Sequence, residues 1–265
     1  MAGEKLRLNK AIAQAGLASR REAERLIRSG VVRLNGAVVT EMGATLDPSV
    51  DRLEVHGKTV RITGGDVREV WALYKPKQCV STLNDPEGRP SLADFLPRTA
   101  TRLFPVGRLD YDAEGLILLT NDGDLAQRMA HPSYGVEKVY LVKVKGLVTQ
   151  ESIRKLGEGP MLEGRKRQGV KARVLHVRND KTWVEVTLRE GIHHHIKKVF
   201  SGVGHRVLKI KRYRIGPVEL GEMNPGDTRK LGRVETTWMM ERQKSGPRPN
   251  IRRSTPRPHP PLGTR

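Results

Sequence analysis

The sequence predicts an α+β protein of two folded units, the larger built on a mixed, largely antiparallel sheet. Three observations carry this. Short alternating segments such as residues 137–145 and 182–188 recur without the regular helical crossovers of a parallel sheet. Gly64-Gly65-Asp66 reads as a linker, dividing residues 1–63 from residues 68–241 with 64–67 between them. A chain of 265 residues, 37% hydrophobic and 29% charged, is long and apolar enough to bury a core in each unit.

Residues 6–15 carry a helical pattern that stops at Gly16. Ser19-Arg-Arg-Glu22 has the form of a capping box, predicting a second helix with Ala23, Leu26 and Ile27 on one face and Arg21, Arg25 and Arg28 on the other. Gly30 ends it, and residues 31–39 read as two short strands around an Asn35-Gly36 turn. In the second unit, residues 69–74 form a strand that stops at Lys75-Pro76. Residues 116–119 form a buried strand closed by Asn121-Asp122-Gly123, and Ile196, Val199, Phe200 and Val203 give a helical face. Residues 242–265 hold seven basic residues, no acid and six prolines, which predicts a disordered basic tail.

Charge narrows the function. The chain has 49 Lys+Arg against 29 Asp+Glu, a formal net charge of +20, divided as +4, +9 and +7 among residues 1–63, 64–241 and 242–265. A polyanion is the expected partner, nucleic acid ahead of a membrane surface. With 11 aromatic residues, most rings are expected to be spent on packing, so backbone and shape recognition comes before base stacking. Residues 197–214 concentrate Lys197, Lys198, Arg206, Lys209, Lys211, Arg212 and Arg214 with no acid, a second phosphate-binding candidate beside the arginine face of residues 21–28. No apolar run approaches the roughly 18 residues of a membrane span. The first residues carry no signal-peptide core, and Cys79 is the only cysteine, which excludes an internal disulfide and Cys-rich zinc sites. A soluble, cytoplasmic, monomeric protein is expected. There is no Gly-rich phosphate loop and no Gly-x-Ser-x-Gly elbow. Asp110, Asp112 and Glu114 cluster between two apolar segments; spacing alone makes them turn residues as readily as catalytic ones.

Two resemblances sharpen this. Leu6-Arg-Leu-Asn-Lys-Ala-Ile-Ala-Gln-Ala-Gly16, Ser19-Arg-Arg-Glu-Ala23 and Val32-Arg-Leu-Asn-Gly36 closely resemble the S4 RNA-binding domain, a small αL-type fold whose two helices face structured RNA. Arg7, Lys10, Arg20, Arg21, Arg25, Arg28 and Arg33 are the RNA-binding set this implies. Gly107-Arg-Leu-Asp110 followed by Gly115-Leu-Ile-Leu-Leu-Thr-Asn-Asp-Gly123 resembles the signature of the RsuA/RluB family of ribosomal RNA pseudouridine synthases. Lys75-Pro76, Ser81-Thr82, His131-Pro132, Lys138-Val-Tyr140 and Gly204-His-Arg-Val-Leu-Lys-Ile-Lys-Arg212 match it too, with an overall lean toward the RluB branch, which acts on large-subunit ribosomal RNA.

The resemblance implies isomerisation of a uridine: the bond from ribose C1′ to N1 breaks, the uracil turns, and C1′ joins C5. Such a reaction requires no metal, redox cofactor or ATP, and none is expected. Asp110 is implied as the essential carboxylate, either attacking C1′ or abstracting the 2′ proton, and an adjacent cation would keep it ionised. Tyr140 is implied as the active-site tyrosine. A phenol is a poor general base at neutral pH, so stacking on the flipped base is its expected role. Lys197 stands where the family carries the basic partner of the aspartate, usually Arg; Lys supplies a point charge without a bidentate fork. Arg108 is a further candidate for holding the RNA or filling the space the flipped base leaves, and beside such a site the basic band is expected to contact phosphate through Lys198, Arg206, Lys209, Lys211 and Arg212. The run His193-His194-His195 departs from the family pattern; adjacent helical side chains diverge by about 100°, so no metal is expected there. The alternative from another class is a non-catalytic S4-type RNA-binding factor in ribosome assembly.

Overall fold

The computed structural model describes residues 5–62, 68–99, 101–159, 161–162, 165–166, 169–189 and 195–244. The first unit comprises β1 (Leu6–Arg7), α1 (Leu8–Gln14), α2 (Arg20–Arg28), β2 (Val32–Leu34), β3 (Ala37–Val38), β4 (Thr45–Leu46), β5 (Leu53–Val55) and β6 (Lys58–Val60). Helix α1 begins at Leu8 rather than residue 6 because Leu6 and Arg7 pair with β4. Ser19 accepts the Glu22 amide, the predicted cap of α2. Asn35 and Gly36 both adopt positive φ, the turn that joins β2 to β3. The antiparallel order is β3-β2-β5-β6, and Leu8, Ala11, Ile12, Ala23, Ile27, Leu46 and Leu53 pack into one core.

The second unit comprises β7 (Val70–Lys75), β8 (Phe104–Val106), β9 (Glu114–Thr120), α3 (Gly123–Ala130), β10 (Lys138–Lys145), α4 (Gln150–Glu158), β11 (Met161–Leu162), β12 (Arg165–Lys166), β13 (Lys171–Val177), β14 (Lys181–Leu188), α5 (His195–Ser201), β15 (Val207–Ile215), β16 (Val218–Glu219), β17 (Thr228–Lys230) and α6 (Arg233–Lys244). Its main sheet runs β13-β14-β10-β15-β9-β7-β17, with β16 on β15 and β8 on β9. Every pair is antiparallel except β15 with β9, so the sheet is mixed and mostly antiparallel, as its sequence pattern predicts.

Two cores sandwich this sheet. On the front, Leu73, Ile117, Leu119, Val142, Val184, Val199 and Phe200 pack together beneath α4 and α5. On the back, Ala72, Leu116, Leu118, Leu125, Met129 and Met239 pack beneath α3 and α6. Strand β9 is buried from end to end and feeds both cores, which is why it reads as an unbroken apolar run rather than an alternation. Each such leucine or isoleucine contributes on the order of 1.5–3 kcal/mol on burial. Asp122, read from sequence as part of a strand-closing turn, is also the N-cap of α3, accepting the amides of Asp124 and Leu125. Helix α6 continues to Lys244, into the segment expected to be tail. Residues 63–67, His193, His194 and 245–265 lie outside the described residues. Among the described residues, no helix is long and apolar enough to cross a membrane.

Candidate active site

The loop between β8 and β9 carries Asp110, and its backbone is fixed on both sides of that residue. Ser81 Oγ accepts the Leu109 amide at 3.0 Å and donates to the Leu109 carbonyl at 2.7 Å. The Gln78 amide donates to the Tyr111 carbonyl, and the Ala113 amide closes a turn on the Asp110 carbonyl. Leu109 is buried in the front core while Asp110 itself is only half-buried. Hydrophobic anchoring of one residue thus presents the next to solvent.

Beneath the loop lies Lys75, the last residue of β7, with no exposed surface. Its Nζ donates to the carbonyls of Pro76 and Ala113, each at 2.8 Å. Burial pushes its pKa down to about 8, while Cys79, Asp112 and Asp110 oppose that shift by favouring the charged form. Lys75 therefore holds the loop and places positive potential behind its carboxylates.

Tyr140 projects from β10 toward the front and is 7% exposed. Arg212, opposite it on β15, is 2% exposed. Its Nε donates to the Leu116 carbonyl at 2.6 Å, and its Nη1 reaches the Tyr140 hydroxyl at 3.4 Å and the Arg108 carbonyl at 3.5 Å. The guanidinium carbon lies 5.9 Å from the Tyr140 ring centroid. One side chain thereby ties the phenol to the backbone of the Asp110 loop. The parallel register that places Arg212 there pairs it with Gly115, and a Cβ on Gly115 would overlap the Arg212 backbone. Gly115 also has φ of +116°, so glycine is required twice over. Lys138, two residues before Tyr140, is buried as well; burial and then the Arg212 charge bring its pKa down to about 8.

Several residues are placed differently from their sequence expectation. Arg212 is not an accessible phosphate contact: parallel pairing of β15 with β9 carries it inside, where it serves Tyr140. Lys197, on α5, pairs with Asp112 through both carboxylate oxygens, at 2.6 and 2.7 Å, rather than with Asp110. Asp112 is largely exposed, so this pair is worth no more than about 1 kcal/mol and can exchange partners. Lys10 joins the two units by pairing with Asp124 at 2.9 Å. Lys209 pairs with the buried Glu114 at 2.7 Å, and Lys211 lies 4.9 Å above the Tyr74 ring centroid. Arg7, Arg20, Arg21, Arg25, Arg28, Arg33, Arg108 and Arg206 are exposed, and Lys198 is half-buried. A groove between the units is lined by Ser19, Arg21 and Arg25 from one side and Thr82, Asn84 and Arg102 from the other. The sequence reading gave Lys75 and Lys138 no site role and Arg212 a phosphate contact; a lysine closing the apolar run Val-Trp-Ala-Leu-Tyr-Lys75 was the available signal for burial.

Known proteins resemble both units of this chain. The profile of the RNA pseudouridylate synthase family matches residues 69–202, and that of the S4 domain matches residues 6–50. A Bacillus subtilis (strain 168) relative named ribosomal large subunit pseudouridine synthase B is 41% identical over 227 residues, covering 85% of this chain and 91% of the relative. An RNA pseudouridine synthase of Aquifex aeolicus (strain VF5) is 39% identical, covering 89% and 94%. A crystal structure of a pseudouridylate synthase superposes with a TM-score of 0.62 at 29% identity, covering 88% of this chain and 99% of that one.

Proposed function

The chain belongs to the RNA pseudouridylate synthase family, and from that premise we propose that it isomerises a uridine of large-subunit ribosomal RNA to pseudouridine. The observation that carries the reading is that buried Arg212 reaches both the Tyr140 hydroxyl and the Arg108 carbonyl of the loop that carries Asp110. The large-subunit assignment is supported by the name of the Bacillus subtilis relative. Kinship with synthases, together with the assembled site, weighs against a non-catalytic assembly factor.

In this reading Asp110 acts at the ribose of the target nucleotide while the C1′–N1 bond breaks. The freed uracil turns, C1′ bonds to C5, the C5 proton leaves and N1 gains a proton, so atoms balance without an added reactant. Asp110 must be ionised to act. Lys75 places a positive charge beneath its loop, and Lys197 is engaged with the neighbouring Asp112. Tyr140 stacks on the extruded base, its phenol held by Arg212. Extrusion costs a few kcal/mol, which contacts to the surrounding RNA offset. The exposed arginines of α2, with Arg108 and Arg206, make those contacts.

Incubating the protein with unmodified large- and small-subunit ribosomal RNA and mapping pseudouridine tests the reading. A new pseudouridine in the large-subunit RNA is expected. Product confined to the small-subunit RNA would refute the substrate assignment, and product in neither would refute the activity.

A further inference from the structure

The back of the sheet is covered unevenly. Helices α3 and α6 shield it over β7 and β9, whereas among the described residues no helix packs extensively on the backs of β10 and β14. The strip left open has a defined composition. Pairing register places His176, Trp183, Lys143 and Lys209 in one cross-strand row and Arg173, Glu185, Leu141 and Lys211 in the next.

Trp183 packs into none of the three cores. Instead Lys143 Nζ stands 5.4 Å from its ring centroid, and the His176 ring lies 6.1 Å away at a tilt of 34°. Composition leads one to expect the few rings of this chain in a core; this indole is half-buried outside all three. The lysines are equally out of place. Lys143 sits directly opposite Lys209, and Lys145 directly opposite Lys181. Like charges in facing positions destabilise a strand pair; Glu114 offsets this cost at Lys209, and an anion lying across the strip would relieve it at the other lysines. Among the described residues, Glu185 and Glu114 beside the strip are already engaged: Glu185 by Arg173 at 3.2 Å and the Tyr213 hydroxyl at 2.7 Å, Glu114 by Lys209.

We propose that this strip, on the face opposite Tyr140, is a second RNA-binding surface that takes a single-stranded segment, with phosphates along the lysines and a base on the Trp183 indole. A sheet face bearing a half-buried ring among cations suits unpaired bases, because every base offers a π-face and the backbone follows the charge. An acidic protein would satisfy the lysines but gives no reason for the indole. The proposal rests on the reading that the substrate is RNA, and it deepens that reading by adding flanking single strand to the recognised target.

The test uses the full chain and a fluorescent twelve-nucleotide oligoadenylate, with affinity read by anisotropy. Trp183→Ala is expected to weaken binding at least about fivefold, and Trp183→Phe to recover most of the loss. Lys143→Gln is expected to lower the slope of log K against log[salt] by about one. Pseudouridine formation at saturating ribosomal RNA should stay within about twofold in every variant, which checks folding. Lys143→Gln, a surface change, keeps the test decisive if Trp183→Ala does not fold. Oligoadenylate affinity and salt slope unchanged in the folded variants would overturn the proposal and leave the strip to a protein partner. Failure of the wild-type protein to form pseudouridine would sink the activity instead, whatever the oligonucleotide result.

Discussion

Arg212 shows how a residue's neighbours in sequence can mislead about its surroundings. Flanked by Lys209, Lys211 and Arg214, it reads as one member of a basic surface, yet its guanidinium lies inside, bonded to Leu116 and reaching Tyr140. What buries it is pairing with a strand far away in the chain, a relation that no local pattern records. Asp110 and Tyr140, by contrast, were singled out only by family resemblance, since spacing alone left Asp110 a turn residue as readily as a catalytic one; Gly115 beside them is required by the same distant pairing with Arg212. The assignment of Arg212 to the phenol rather than to phosphate has a kinetic consequence. Arg212→Lys keeps the charge but cannot reach Leu116, Arg108 and Tyr140 together. Turnover is expected to fall about 10- to 100-fold with RNA affinity nearly unchanged. Weakened affinity with intact turnover, measured by separate binding and single-turnover assays, would return Arg212 to the phosphate-contact role.

At the scale of elements, the apolar strands and the capped helix α2 were readable, since burial on one or both faces imprints a period. Strand β13 was not: as an edge strand it is largely exposed and carries Lys171, Arg173 and His176, so its pattern resembles a loop. The short pair β5 and β6 and helix α6 also left no clear period. The joint between β7, β17, Thr99 and Thr101 is made through one carboxylate. Glu69, 9% exposed, accepts Lys230 Nζ at 2.9 Å and the hydroxyls of Thr99 and Thr101, each at 2.8 Å. The Lys230 bond, with the two hydroxyls and Trp71, holds its pKa down to about 2 against an ordinary 4.5. Because the folded value is depressed, the stabilisation is fully present above pH 4.5 and is lost as pH falls from there toward 2. Glu69→Gln should therefore cost on the order of 3 kcal/mol at pH 7 and progressively less toward pH 3. Denaturant unfolding of both proteins across that range checks this. Curves that stay parallel would show that Glu69 is not the titrating support of the joint.

Across the whole molecule, the net charge of +20 resolves into distinct surfaces. The arginines of α2 line one side of a groove whose other side is the catalytic unit, Arg108 flanks the active-site loop, and the lysine rows cover the open back of the sheet. The two units touch through Lys10 and Asp124, so a charge expected to meet RNA instead joins the domains. If on the order of 6–8 phosphates are engaged, log K for ribosomal RNA should fall against log[salt] with a slope of about −4 to −7. A flat response in a filter-binding titration would contradict recognition through the RNA backbone. The central claim, however, is chemical: one carboxylate within this positive field breaks and remakes the glycosidic bond. Tritium release from ribosomal RNA labelled at uridine C5, compared between the wild type and Asp110→Asn, tests it most directly, because C1′ can bond to C5 only if that hydrogen leaves. The wild type should release tritium in step with pseudouridine formed, and Asp110→Asn should bind the RNA with similar affinity and release none; release by the variant at the wild-type rate would contradict the account.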